Sequence, residues 1–348
     1  MAKIKKYKIG KKLNKKAQVE TQFNWIFILV AGGVILAFFT YVVIKQKANS
    51  EIKLSGKIAQ QLNTILTGAK VSSGATEIIP MPDVEIRFSC NDYYIGQASQ
   101  RLGNRVVYAP RFITGRKLIT WTLDWNLPFK INTILYLSSP YTRFVVIGNS
   151  NNDIVKELNK TLPDTINLDF YETDSDPNLI NEQDDHTRFI YVTELSPGPV
   201  PPSFIGSSVS ALWVSPNPIE KNMVFLESSG SSFVEIIQLK YINYPILYGA
   251  VFTDDSSSFK CITERAFLNY NIVAQIYYEK FNSLSEFYPG STCEKFYKEN
   301  ANLKSIVTST NKTNYEDIES EYASILTQVA TLSQTNQKLE YNSCPLIY

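Results

Sequence analysis

The sequence predicts an α/β fold, with α+β as its near alternative, carried behind an N-terminal transmembrane helix. Three observations predict it. Residues 23–44, FNWIFILVAGGVILAFFTYVVI, form an apolar stretch without a charge. Residues 70–260 hold short β-branched and aromatic runs separated by turn residues, with a helical segment among them. From residue 261 onward, apolar residues recur every three or four positions, as on one face of a helix.

The first element is the span. At about 1.5 Å per residue, 22 residues reach roughly 33 Å, close to the hydrocarbon thickness of a bilayer. Its clearly polar members, Asn24 and Thr40, lie near the two ends. Ahead of it, residues 1–22 hold eight lysines against Glu20, a charge of +7. The chain total is +1, so residues 45–348 carry −6. Cationic flanks stay cytoplasmic, which predicts a single-pass protein in the cell membrane with an inside N-terminus and an extracellular C-terminal domain. Lys45, Lys47, Lys53 and Lys57 oppose this signal without outweighing it. The lysine head adjoins the lipid bilayer and interleaves only Tyr7, so nucleic acid is not its expected partner. A cleaved secretory signal is disfavoured: the apolar core is too long, and Gln46-Lys47-Ala48 lacks the small residue that cleavage needs.

Leu54, Ile58, Leu62 and Ile65/Leu66 continue the helix as an amphipathic stalk over residues 45–68, ended by Thr67-Gly68 and interrupted by the breaker-like Ser55-Gly56. Residues 70–140 form a β-rich segment with strands at TEIIP, VEIRFSC, YYIG, NRVVYAP, LITWTLDW and INTILYLSS. Trp121 and Trp125 share one face there and read as core, a carbohydrate-stacking platform being the sharper alternative. Residues 141–348 form an α/β part. Strand RFVVIG leads into a helix at NNDIVKELNK, followed by strands INLDFYE, RFIYVTE, MVFLE, FVEIIQLK and ILYGAVF. SPGPVPPSF (196–204) is a surface loop or crossover. Three helices close the chain: 261–284 with a stripe of Ala266, Tyr270, Val273, Tyr277 and Phe281; about 293–307; and one beginning at the N-cap Asn314, striped by Ile318, Tyr322, Ile325, Val329 and Leu332.

All four cysteines follow the span, and three pairings are open, with reduced, packed thiols as the alternative. Folding the last two helices back on each other brings Cys344 to Cys293, leaving Cys90 for Cys261. Asn159-Lys160-Thr161 and Asn311-Lys312-Thr313 are sequons that an outside domain would glycosylate.

Chemistry is sparse, and no enzyme is expected. His186, the one histidine, follows acids in a loop-like run and reads as solvated. Seven acids lie in residues 169–185, but the glycine and closing glutamate of a calcium loop are missing, so a hydrated connection is expected. Gly148 to Asp153 joins a strand to a helix; Asn149, Ser150 or Asn151 is expected to cap that helix, with anion binding as the sharper reading. Neither a cofactor nor a metal is expected, since no C-x-x-C pair, P-loop or H-E-x-x-H occurs.

Lys15-Lys16-Ala17-Gln18-Val19-Glu20, directly before the apolar segment, resembles the class III leader of archaeal type IV pilin-like proteins. The resemblance covers residues 11–45 and implies cleavage by a prepilin peptidase between Ala17 and Gln18. It departs from the bacterial pattern in having Gln22, not an acid, at the fifth mature position. An uncleaved signal anchor is the alternative. Residues 23–39 also resemble the anchors of archaeal single-pass surface proteins. The expected function is that of a cell-surface binding or assembly protein whose partners are other surface proteins or glycans. The alternatives are a pilin-like filament subunit and a surface hydrolase using carboxylates, such as Asp124 with Glu85 or Asp83.

Overall fold

The computed structural model describes residues 15–69, 73–173, 184–194, 197, 199–297 and 301–348. The fold is mixed α/β, with the N-terminal apolar helix first, sheets next and helices at the C-terminus. Two compact units divide the chain, Met1–Leu54 and Ser55–Tyr348.

Helix α1 (Lys15–Ala69) is continuous across that division. In the first unit, the apolar side chains from Trp25 to Ile44 are solvent-exposed almost throughout, as expected of a helix built for lipid contact. Residues from Trp25 onward form a segment long and apolar enough to cross a membrane. Ser55-Gly56, expected to break the helix, does not. A single helical glycine costs only about 1 kcal/mol, which packing around it offsets.

In the second unit, Ile58, Ala59, Leu62 and Leu66 of α1 are buried in a core of their own. That core is shared with two antiparallel layers. One pairs β1 (Thr76–Pro80) with β7 (Lys117–Asn126), then β8 (Lys130–Ser138), with the short β5 (Val107–Tyr108) added in parallel. The other is a small sheet in the order β4 (Ala98–Arg101), β3 (Asp92–Ile95), β2 (Ile86–Phe88), β6 (Phe112–Ile113). Polar staples hold this part of α1. Tyr93 Oη donates to Ala59 O at 2.7 Å, and Arg105 donates to Asn63 Oδ1 and Thr67 Oγ1 at 2.9 and 2.8 Å.

The six-stranded third sheet runs β10 (Asn167–Tyr171), β9 (Thr142–Gly148), β11 (His186–Val192), β12 (Val209–Val214), β13 (Asn222–Ser229), β14 (Ser232–Lys240). β10, β9, β11 and β12 are parallel, and β13 and β14 are antiparallel additions. One face packs on helices through Phe144, Val146, Ile190 and Leu212. The other is covered by Val200 and Phe204 of the Pro-rich crossover, which lie over Val145 and Phe189. The crossover is thus a lid on the sheet and not merely a surface loop. Strand β12, absent from the sequence-based expectation, is buried on both faces and lacks the polar alternation that marks an exposed strand.

ILYGAVF, expected as a strand, is a helix: α3 (Tyr244–Phe252). Every residue from Ile246 to Phe252 is buried, so no polar face marks the period and the run reads equally as strand or helix. Pro245 sits in the first turn, where a helix tolerates proline. Gly249 sits under the ring of the fully buried Tyr108; a Cβ there would meet ring atoms at 2.6–2.7 Å. Tyr108 is itself held by Thr263 Oγ1 at 2.8 Å and stacked between Tyr136 and Phe259. Gly249→Ala is therefore expected to destabilise the protein by about 1–3 kcal/mol, read as a lowered urea midpoint at unchanged slope.

The C-terminal helices are α4 (Ser256–Phe287), α5 (Glu294–Tyr297), α6 (Ala301–Thr310), α7 (Tyr315–Ser320) and α8 (Tyr322–Tyr341). Asn314 caps α7 by accepting from Asp317 N, as expected, but the helix then breaks at Glu321. The expected second helix is described as α5 and α6. Disulfides join Cys90 to Cys261 and Cys293 to Cys344, each with Cα atoms 5.8 Å apart, the pairing preferred from the sequence. Trp121 and Trp125 are both buried in the main core, which removes the carbohydrate platform they offered.

Candidate functional site

In an open parallel sheet, ligands are expected beyond the carboxyl ends of the strands, where the order reverses. Here β9 lies between β10 and β11, which puts that point after Gly148. The helix there, α2 (Asp153–Thr161), is capped by Asn152, not by Asn149, Ser150 or Asn151: Asn152 Oδ1 accepts from Ile154 N, and its Nδ2 donates to Pro216 O. Asn149 Oδ1 accepts from Asn151 N. The Ser150 amide, the donor an anion would use, points at the Glu172 carboxylate at 3.2–3.3 Å. A Cβ on Gly148 would also meet Val155 Cγ2 at 2.8 Å. Protein groups fill this end of the sheet.

The more open concavity is at the opposite end. A cavity of about 200 Å³ is walled by five segments: Phe112 and Thr114; Ser139, Tyr141 and Thr142; Asp185 and His186; Ser208; and Asp254. Phe112 and Tyr141 stand at its edge, 46 % and 40 % exposed. The Tyr141 ring lies against Gly115, whose φ of +102° favours glycine and whose hydrogen leaves the space a Cβ would take from the ring. The Arg111 guanidinium sits over the Phe112 ring at 5.5 Å. Arg111 N donates to Asp254 Oδ1 at 2.8 Å.

His186 corrects the expectation of a solvated loop residue. It is the first residue of β11, paired with Thr142 and partly buried. Its Nδ1 lies 2.9 Å from Ser208 Oγ and its Nε2 3.1 Å from Ser210 Oγ. Hydroxyls therefore occupy both ring nitrogens, and among the described residues no carboxylate orients the imidazole as a hydrolytic triad requires. Burial depresses the imidazole pKa, Asp254 pushes it back up, and Arg188 lowers it further. The sign follows directly. The folded protein binds the proton less tightly than the unfolded chain, so stability is full above the unfolded value of about 6.5 and falls as pH drops through the window below it. His186→Gln, which keeps polar contacts to both serines, is expected to flatten the loss of melting temperature between pH 7 and pH 5; an unchanged slope would contradict this origin.

Two residues along the strand, Arg188 is fully buried. It donates to Ala211 O at 3.2 Å, Ala250 O at 3.0 Å and Thr253 O at 2.8 Å, the last two at the C-terminus of α3. Burial lowers its pKa to about 10, with Asp254 acting against the shift. The guanidinium thus supplies the positive charge and donors that a buried helix C-terminus lacks.

Of the carboxylates named for a hydrolase, Glu85 is exposed ahead of β2, and Asp83 and Asp124 are separated. Asp83 follows the Lys117 end of the β1–β7 pair and faces Arg116 at 3.6 Å. Asp124 lies towards the other end of β7, bound to Lys130 at 2.8 Å and Thr133 at 2.8 Å. Lys117 and Asp124 are seven residues apart along β7, about 23 Å at the rise of a strand. Of the acidic run, Asp174, Asp176 and Glu182 lie outside the described residues, and Asp169 is bound by Arg143 at 2.6 Å. Among the described residues no cluster of acids, histidines and cysteines is arranged to hold a metal ion. Ala17 and Gln18 lie in the first turn of α1, and Asn159 and Asn311 are exposed, on α2 and just past α6.

Compared with known proteins, the chain matches no family model, no curated protein and no solved structure.

Proposed function

We propose that this is a single-pass membrane protein whose cytoplasmic end is the lysine head and whose outward α/β domain is a cell-surface binding or assembly component without catalytic activity. The observation that carries the reading is the exposed apolar stretch of α1 joined to a domain whose four cysteines all form disulfides. Exposed apolar surface of that extent needs lipid, and disulfides persist in oxidising compartments. Tethering would hold the domain near other surface proteins or glycans and raise their effective concentration. Protease added to intact cells is expected to degrade the C-terminal domain and spare the lysine head; the reverse pattern overturns the topology.

The pilin-like reading draws support from one further observation. α1 passes Ser55-Gly56 unbroken, and Ile52 and Leu54 remain 45 % and 49 % exposed beyond the span, the kind of apolar surface that helix-to-helix polymerisation would bury. Intact mass decides it: loss of residues 1–17 is expected if a prepilin peptidase acts, and a full-length chain removes the filament reading.

A further inference from the structure

We infer that the cavity between Phe112, Tyr141, His186 and Asp254 is a binding site for a single neutral sugar unit of a surface glycan. This inference takes its ligand source from the outward placement of the domain proposed above. The chemistry is complementary. A pyranose presents an apolar face of C–H groups and a rim of hydroxyls, and the cavity presents two half-exposed aromatic rings above a polar floor. The floor offers an acceptor for a hydroxyl. Ser139 Oγ is engaged within the wall, donating to Thr114 O and accepting from Tyr141 N, both at 3.1 Å, and so fixes the Tyr141 side of the cavity. Asp254 accepts the Arg111 amide on Oδ1, and among the described residues nothing donates to Oδ2, so that oxygen is an acceptor for a sugar hydroxyl.

Charge selects against ions. Asp185 and Asp254 are countered by Arg111 over the Phe112 ring and Arg188 behind His186, so neither a cation nor an anion gains a net field. At about 200 Å³ the cavity lies below the roughly 300–1,000 Å³ of drug-sized pockets, which suits one ring rather than a chain of them.

The test uses the oxidised full chain in a detergent without a sugar headgroup, and saturation-transfer NMR with the methyl glycosides of glucose, mannose, galactose and N-acetylglucosamine. At least one is expected to bind with a millimolar Kd. Phe112→Ala and Asp254→Asn are each expected to weaken that binding at least tenfold, and Ile219→Ala, at a distant exposed position, to leave it unchanged. Asparagine at 254 keeps an oxygen for the Arg111 amide, so that variant reports even where the ring substitution disturbs folding. Silence from all four glycosides overturns the inference, as does binding that survives both substitutions. Detergent has no sidedness, so this failure is separate from a failure of the topology, which the protease experiment reads.

Discussion

Removing the Cys90–Cys261 bridge, as Cys90→Ala with Cys261→Ala, is expected to cost about 2–5 kcal/mol. The bridge closes a loop with a sequence separation of 171, and loop-closure entropy for a crosslink of that length is worth about 5 kcal/mol before strain and residual structure reduce it. The site magnifies the loss. The bridge ties the end of β2 to α4, and around it Arg265 of α4 donates to Arg105 O and to Asn91 Oδ1. At roughly 2–4 °C per kcal/mol for a domain of this size, the melting temperature should fall by about 5–15 °C. The Cys293–Cys344 bridge, with a separation of 51, should cost about 1 kcal/mol less in the same comparison. A double variant melting within 2 °C of the parent would show that the unfolded chain is not what the bridge constrains.

Arg188→Met is expected to cost about 3–5 kcal/mol, since three buried carbonyls lose their donor at about 1–3 kcal/mol each, offset in part because a charge is no longer buried. Methionine fills a similar volume, so the loss isolates hydrogen bonding. Ala211 O, Ala250 O and Thr253 O all lose a charged donor in a region closed to water. The Nε of Arg188 is already buried without a partner, a cost the native protein carries because the three carbonyl contacts offset it. Hydrogen exchange should locate the damage: amides of α3 are expected to lose protection before those of β9 or β11. Arg188→Lys should recover only part of the loss, since an ammonium lacks the planar fork that spans three carbonyls. Uniform loss of protection across the sheet would mean that Arg188 supports β11 and not the helix end.

Much of this fold is legible in the sequence because its signals are local. TEIIP is strand β1 residue for residue, and of the stripe on α4, Ala266, Tyr270 and Phe281 are buried while Val273 and Tyr277 are partly buried against the same core. The cysteine pairing follows from antiparallel return of the last helices. What the sequence hides is set by tertiary context. ILYGAVF is apolar on every side, and the arginine that reaches its last carbonyls lies 62–65 positions earlier. His186 looks solvated among acids, yet pairing with Thr142 carries it to the margin of a sheet. The cavity draws on residues from 112 to 254 in five separate segments, none with a motif, so no spacing announces it. Exposed Phe112 and Tyr141 are the only local hint, and single exposed aromatics are ordinary.

The bridge connectivity also bears on biogenesis. Numbered from the N-terminus, the first cysteine is joined to the second and the third to the fourth. If the domain is exported as proposed, with the lysine head held inside, its residues emerge in order from the span onward and each cysteine meets its correct partner as the next thiol to appear. An oxidant that pairs thiols in order of arrival reaches the native pattern without reshuffling, and only Cys90 has a long wait, until α4 has cleared the pore.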